Sequence, residues 1–452
     1  MKSHKKRDTD MTEGNIIRHI IAFSVPLLLG NLFQQLYNTV DTWVLGNFTT
    51  NEAYSAVGSI GPVVNVLIGT FMGLSSGAGV VVSQFYGAKQ YDKVHKAVHT
   101  SITLTLILSA VFTVVGIFMT PMMLQLMKMP EEVIPDAKTY LAIYFAGVTG
   151  LLIYNMGSGI LRAIGDSRRP FYFLVVAALL NIVLDLVFVL VFHMGVSGVA
   201  YATIISQGIS AVLVMITLIR SDSCIKFSFR EMGISLEQIK LILRVGIPAA
   251  LQMAVTAFSN IFVQSYVNHF GQNIMGGWTT YTKLDQFMFL PMQSISLAAS
   301  TFMGQNLGIG NIERAKRGVR ISSATSLICT GVIMIPLVVF APAFSEFFNA
   351  KPEVIEASTM LLRWMSPFYL ICCFNQIYSA ALRGAGNSKV PMIIMIGSFV
   401  VFRQIYLFVM ANFICNEIIP IAMGYPAGWA VCSLATLIYY KKTDLTKTKL
   451  VS

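Results

Sequence analysis

Three of the 21 acidic residues, Asp41, Asp185 and Asp285, fall deep inside long apolar stretches. A charged side chain at such depth is costly, so it pairs, faces a cavity or takes up a proton. Asp185 follows Asn181 by one helical turn, which places both on one helix face. Asp41 stands in the run Tyr37-Asn38-Thr39-Val40-Asp41-Thr42, and Thr203 in the apolar stretch after Asp185. The connection around Met194 to Ser197 is too short to part those last two stretches widely. Two carboxylates, an amide oxygen and a hydroxyl form a hard-oxygen set suited to Na⁺ at Asp41, Asn181, Asp185 and Thr203. The same two carboxylates can instead share a proton. A third reading is purely structural, a polar cluster that pins the first, fifth and sixth helices together.

These side chains need a membrane-spanning scaffold to hold them. Hydrophobic residues make up 55% of the chain and charged ones 12%, about half the charged share of a soluble domain. Apolar runs long enough to cross a bilayer as helices recur twelve times, centred near residues 31, 68, 107, 146, 180, 208, 255, 290, 328, 366, 401 and 429. The short alternating segments of a membrane β-barrel are absent from the sequence. The expected fold is an all-α polytopic membrane protein. With the N-terminus inside, the inner loops, helix ends and termini hold 26 of the 32 Lys and Arg residues, whereas the outer connections hold Lys128 and Lys351, with Lys138 just beyond. That asymmetry puts both termini in the cytoplasm and explains the net charge of +11 without nucleic acid. The Lys5-Lys6-Arg7 run leads into polar residues, which does not read as a removable signal. Six cysteines, mostly inside apolar runs, read as packing residues. The sequence has no G-x-x-x-x-G-K-[ST], H-E-x-x-H or G-x-S-x-G, so neither an ATP-driven pump nor an enzyme is expected.

The chain also repeats itself at an offset of 221 residues. Gln84 and Gly87 return as Gln305 and Gly308, and Pro121 and Glu132 as Pro342 and Glu353. Leu161-Arg162-Ala163-Ile164-Gly165-Asp166-Ser167 returns as Leu382-Arg383-Gly384-Ala385-Gly386-Asn387-Ser388, each followed by a proline, Pro170 and Pro391. Two six-helix lobes follow, related by a pseudo-twofold axis along the membrane normal because each half holds an even number of spans. The expected segments are 1–15 (cytoplasmic), 16–219 (first lobe), 220–240 (linker), 241–440 (second lobe) and 441–452 (cytoplasmic tail). Phe227, Phe229 and Ile234 among the linker charges suit an interfacial helix. The glycines of the repeated motifs are expected to supply turns with φ > 0 at the membrane surface.

The doubled G-Q-x-x-G and L-R-x-x-G-[DN]-S elements, with six-plus-six spans, resemble the multidrug and toxic compound extrusion (MATE) transporters, in their prokaryotic DinF-like branch. The resemblance covers about Ile16 to Tyr440. It implies a multi-pass protein of a prokaryotic plasma membrane that exports small organic, often cationic, compounds by alternating access against H⁺ or Na⁺. It implies no cofactor besides the ion. It also implies that Asp41, Asn181, Asp185 and Thr203 form the ion site, with Tyr140 in their hydrogen-bond network.

At the 221-residue register Asn181 becomes Phe402 and Asp185 becomes Tyr406, so the expectation is that the second lobe lacks the cluster. Candidate cavity residues are Gln34, Tyr37, Asn38, Asn155, Asn260, Gln264 and Asp285. Lys283 and Asp285, two apart, face different sides of their helix. Met156, Met253 and Met288 suit a pliable pocket. Pro26 and Pro248 stand early in the first and seventh spans, where each frees a backbone carbonyl and permits bending. Pro26 is the expected bending point. A monomer is expected. The alternative function is a lipid-linked saccharide flippase of the same superfamily, which usually shows about fourteen spans and a strongly basic cavity, and this chain shows neither.

Overall fold

A computed structural model describes residues 10–127, 129–447 and 450; the Lys5-Lys6-Arg7 run and Lys128 lie outside the described residues. Among the described residues every regular element is helical. The first half of the chain contributes α1 (Ile16–Phe48), α2 (Asn51–Gly87), α3 (Tyr91–Leu126), α4 (Ile134–Ala163), α5 (Arg168–Leu186) and α6 (Gly195–Ile219). The second contributes α7 (Leu236–Asn268), α8 (Gln272–Gly308), α9 (Ile312–Val339), α10 (Ala341–Phe348), α11 (Pro352–Met365), α12 (Tyr369–Gly384), α13 (Lys389–Ile396), α14 (Arg403–Val409), α15 (Ile418–Ala422) and α16 (Gly424–Lys442).

Ten segments are long and apolar enough to cross a membrane on their own. The other two expected spans correspond to α8 and to α11 with α12. The middle of α8 is polar, with Thr279, Thr280, Lys283 and Asp285. The tenth span is interrupted at Ser366–Phe368, a 3₁₀ turn at Pro367, because proline removes a helical hydrogen bond and crowds the preceding turn. The eleventh span joins α13 and α14 through a π-turn at Gly397–Phe402 and ends in a second at Met410–Ile414, whereas the fifth has one, Val187–Val191.

The chain divides into two compact units, one built on Leu29–Ile247 and the other on Met11–Leu28 with Pro248–Ser452. The start of α1 therefore belongs with the second half of the chain, and the start of α7 with the first. The changeovers fall near Pro26 and at Pro248. In the second unit Ile16, Ile20 and Phe23 pack with Ile295, Phe302 and Met303. Gln305 of the repeated glycine-rich motif accepts the Met11 N–H at 3.0 Å, and Arg314 donates to the Glu13 carbonyl at 2.8 Å. The motif is thus more than a turn: it seats the segment that leads into α1. In the first unit α2 meets the start of α7 so closely that a Cβ on Gly77 would lie 2.6 Å from the Ile242 carbonyl oxygen.

The second repeated motif closes both copies alike. The Gly165 and Gly386 N–H groups donate to the Arg162 and Arg383 carbonyls at 2.9 and 2.8 Å, and those of Asp166 and Asn387 to Leu161 and Leu382 at 3.0 and 2.9 Å. Both glycines have positive φ, 89° and 92°, as a left-handed helix terminus requires. Gly87 and Gly308 behave differently from expectation. Each remains the last residue of its helix, and the left-handed residues are Lys89 (φ 57°) and Gly310 (φ 78°). The expected linker helix is also not formed; Phe229–Glu231 is a single 3₁₀ turn. Phe227 is buried and stacks on His99 at 5.0 Å, and the Ser228 N–H donates to His99 Nε2 at 3.0 Å. His99 in turn directs Nδ1 to the His95 carbonyl at 2.9 Å, and His95 Nε2 meets Glu231 Oε2 at 3.2 Å. Anchoring side chains on α3 replace the helical hydrogen bonds of the linker.

All six cysteines are free thiols, and Cys372, Cys373 and Cys432 are buried among apolar neighbours. Met156 and Met288 are core residues, at 4% and 0% exposure, rather than cavity lining; Met253 is exposed.

Candidate functional site

In the first unit α1 and α5 bring two carboxyl groups together. Asp185 is fully buried and its side chain adjoins that of Asp41, which is half-buried on α1. Asn181, 1% exposed, lies one turn before Asp185 on the same face. Apart from the Asp41–Asp185 contact, neither Asp185 oxygen, Oδ1 of Asp41 nor either amide atom of Asn181 has a hydrogen-bond partner among the described residues. Buried polar atoms are rarely left this way. Two bare carboxylates side by side also repel where water cannot solvate them. The arrangement has room in its chemistry for one proton or one small cation held by oxygens.

Tyr140, 8% exposed on α4, lies beside Asp41 and beside Thr203. The Thr203 hydroxyl donates to the Val199 carbonyl at 2.9 Å, which leaves its lone pairs facing outward from its own helix. Tyr140 stacks on Tyr144 with ring centroids 6.1 Å apart. Tyr37 of α1 adjoins both Asp41 and Gln34. Asn38 is exposed and Gln34 half-buried. Asn155 turns its amide back onto the Leu151 carbonyl at 2.8 Å, while its own carbonyl accepts from Ser75 at 2.7 Å. The backbone of Asn155 thus joins α4 to α2, and its side chain is half-buried.

The second unit has a polar centre too, and its charge is reversed. Arg403, 2% exposed at the start of α14, donates from Nη2 to Ser259 Oγ at 2.7 Å and to Asn260 Oδ1 at 2.9 Å. Its guanidinium lies over the Tyr425 ring at 4.5 Å, and the Tyr425 hydroxyl donates to Asn260 Oδ1 at 3.2 Å. No carboxylate stands within ion-pair distance of it among the described residues. Ser259 Oγ also accepts from Gln404 at 3.1 Å and donates to the Phe399 carbonyl at 2.8 Å, inside the π-turn.

That π-turn explains why reading the repeat at a constant offset failed. The fifth and eleventh spans begin 221 residues apart, at Arg168 and Lys389, yet they hold 24 and 26 residues. A π-turn accommodates an extra residue within a helix. Beyond Gly397–Phe402 the offset is 222, so Asn181 corresponds to Arg403 and Asp185 to Leu407. Pro26 and Pro248 of α1 and α7 also stand 222 apart, and at that offset Tyr37, Asn38 and Thr203 correspond to Ser259, Asn260 and Tyr425, which are the groups that surround Arg403. A lone arginine inside an apolar run was the sequence signal for this centre.

Of the remaining expected cavity residues, Gln264 donates to Asn268 at 2.8 Å. Asp285 lies beside Tyr281, whose hydroxyl meets that of Tyr369 at 2.7 Å. Lys283 is exposed, with Nζ 5.5 Å from the Phe348 ring centroid, so Lys283 and Asp285 do face apart. An aromatic group absent from the sequence-based set adjoins Asp285 and Arg403. Trp278 packs on Tyr425 at 5.8 Å, and Tyr369 on Trp429 at 4.9 Å. Such rings attract organic cations through their π faces.

A scaffold of helices long and apolar enough to cross a membrane, with ionisable groups buried among them, has the make-up of a membrane transport protein. Comparison with known proteins gives the family. The MatE family model matches residues 26–187 and 248–409, and the chain belongs to that family, in its prokaryotic DinF-like part. The two matches stand 222 residues apart, the same offset that equates Asn181 with Arg403. The chain is 31% identical over 432 residues to the probable multidrug resistance protein YpnP of Bacillus subtilis, covering 96% of each. It is 26% identical to the probable multidrug resistance protein NorM of Thermotoga maritima, covering 94% of this chain and 92% of that one. Its fold is that of an outward-facing multidrug resistance MATE family transporter of the MOP superfamily (TM-score 0.92, 23% identity, 99% and 100% covered). A MOP superfamily transporter from Pyrococcus furiosus is equally similar (TM-score 0.92, 23% identity, 97% and 98% covered). The protein is accordingly all-α, with twelve membrane helices in two six-helix lobes.

Proposed function

We propose that the protein is a secondary active multidrug exporter, antiporting small organic and often cationic compounds against H⁺ or Na⁺ by alternating access. The observation that carries the coupling is the adjoining Asp41 and Asp185 carboxyls, the latter fully buried and without other partners. Asn181, Thr203 and Tyr140 complete the ion site in this reading. The relatives named as multidrug resistance proteins, and the aromatic groups near Asp285, support organic cargo. Gln34, Tyr37, Asn38, Asn155, Asn260, Gln264 and Asp285 are the polar groups available to it. The excess of Lys and Arg at one set of helix ends supports a plasma-membrane orientation with both termini in the cytoplasm.

Binding of a proton or Na⁺ at Asp41 changes the charge of the α1 face beyond Pro26, and bending of α1 at that proline would release cargo. The test is dye efflux from vesicles driven by an imposed ΔpH or Na⁺ gradient. Asp41→Asn, with normal expression and melting temperature, is expected to fall to the leak baseline. Gradient-driven efflux at the wild-type rate would remove the coupling site. Counterflow with each ion varied alone then decides between H⁺ and Na⁺.

A further inference from the structure

The second unit holds a permanent positive charge at the positions where the first unit holds its carboxyl cluster. Arginine does not deprotonate in proteins, so the charge of Arg403 cannot be removed as that of a carboxyl group can. A buried guanidinium normally finds a carboxylate, since an uncompensated charge in an apolar interior is strongly destabilising. Here neutral groups do the whole task. Two side-chain oxygens accept from one nitrogen, and an aromatic face covers the ion. Such a set is what a protein uses to hold a bound cation. The four groups come from three spans: Ser259 and Asn260 on α7, Arg403 on α14 and Tyr425 on α16. Nε of Arg403 is buried and unpartnered, so the cluster is not saturated by its present contacts.

We propose that Arg403 is a built-in cation, a tethered occupant of the second unit's counterpart of the ion site. It holds α7, α14 and α16 in the arrangement that the first unit reaches only when its exchangeable ion is bound. The comparison with a bound ion rests on the coupling role proposed for Asp41 and Asp185. Arg403 is a positioning residue in this scheme: it contacts neither the coupling ion nor the reacting cluster. It fixes the ion requirement at one unit, because the other carries its cation covalently. Leu407 and Val263, the counterparts of Asp185 and Asp41, are fully buried apolar residues and offer a second ion nothing to bind.

The inference is tested by removing the charge and returning it from solution. Arg403→Ala is expected to lower gradient-driven efflux about tenfold or more, the effect of losing about 1.4 kcal/mol from the working state. Millimolar guanidinium is expected to restore much of that loss while leaving wild-type efflux unchanged, because the ion refills the space vacated by the side chain. Arg403→Lys should keep several times more activity than Arg403→Met, which places an unbranched side chain there without charge. The ion concentration giving half-maximal efflux should be unchanged in Arg403→Lys. Wild-type efflux by Arg403→Ala, absence of guanidinium rescue, or equal activity of the Lys and Met variants would each overturn the proposal. If Arg403→Ala does not fold, the Lys and Met pair carries the test through efflux and melting temperature. Normal coupling in Asp41→Asn would instead sink the first-unit reading and leave the guanidinium result interpretable by itself.

Discussion

Asp185 and Arg403 stand on the matching fifth and eleventh spans of a duplicated chain, both buried, and they carry opposite charge types. In the first unit two carboxyls adjoin, and beyond that contact both Asp185 oxygens and Oδ1 of Asp41 have no hydrogen-bond partner among the described residues. The second surrounds one guanidinium with Ser259, Asn260 and Tyr425. A carboxyl group in a low-dielectric site can be neutralised by a proton or by a cation, and the occupant can leave again. A guanidinium can only be accommodated, so its neighbours must solvate it at every step. The difference lies in a few substitutions and in one inserted residue, absorbed as a π-turn, that turns a new side chain toward the same set of neighbours. Duplication has supplied one scaffold twice, with a carboxyl pair in one copy and a guanidinium in the other.

The comparison breaks first at Asp185. Asp185→Asn keeps shape and hydrogen-bonding capacity but removes the exchangeable charge. Ion-driven efflux should fall by about 100-fold, equivalent to about 2.7 kcal/mol, while the melting temperature stays near that of the wild type. A variant with intact ion-driven efflux would show that the exchangeable charge is elsewhere, and the contrast between the units would lose its functional meaning.

A middle-sized effect is expected at the two prolines. Pro26 and Pro248 both interrupt the hydrogen bonding of long helices close to the boundary between units. In the proposed coupling the exchangeable charge, Asp41, stands on the Pro26 helix, so Pro26→Ala should reduce efflux several-fold and Pro248→Ala much less. Both should raise helix stability, since alanine restores a hydrogen bond and removes a clash. Equal losses of efflux in the two variants would mean that bending is tied to the scaffold and not to ion binding.

Much of this architecture was legible because its signals are additive along the chain. Apolar length, the lysine and arginine asymmetry and the doubled loop motifs each survive an error of a few residues. The adjacency of Asp41 and Asp185 was legible because a carboxylate in an apolar span has few explanations. Arg403 was not placed, because its neighbours are recognised only after a one-residue shift, and a π-turn leaves no compositional trace. The linker misled for a related reason. Phe227, Phe229 and Ile234 set among charges suited an interfacial helix, yet the imidazole of His99 and the hydroxyl of Thr100 satisfy the Ser228 and Ser235 N–H groups from outside. Side chains more than a hundred residues away replaced a local helix.

The smallest expected effect tests whether the scaffold itself is twofold at the level of a single dihedral. After α2 the Lys89 N–H donates to Tyr86 and that of Gln90 to Phe85, both at 3.0 Å; after α8 the Gly310 N–H donates to Leu307 at 3.0 Å and that of Asn311 to Asn306 at 2.9 Å. The turns are the same, but one uses lysine at φ 57° and the other glycine at φ 78°. A left-handed residue with a Cβ costs about 1 kcal/mol, so Lys89→Gly relieves strain in the folded state. It also frees the unfolded chain, which takes back about 0.4–1 kcal/mol, and the net change should lie within about half a kcal/mol of zero. Gly310→Ala faces open space around the new Cβ, so the dihedral alone decides its cost, about 1 kcal/mol of stability. Melting temperatures of the two purified variants in the same detergent should therefore differ, with Gly310→Ala the lower. An unchanged Gly310→Ala together with a strongly destabilised Lys89→Gly would mean that Lys89 is held there by its side chain, and that the copies share a turn shape without sharing what maintains it.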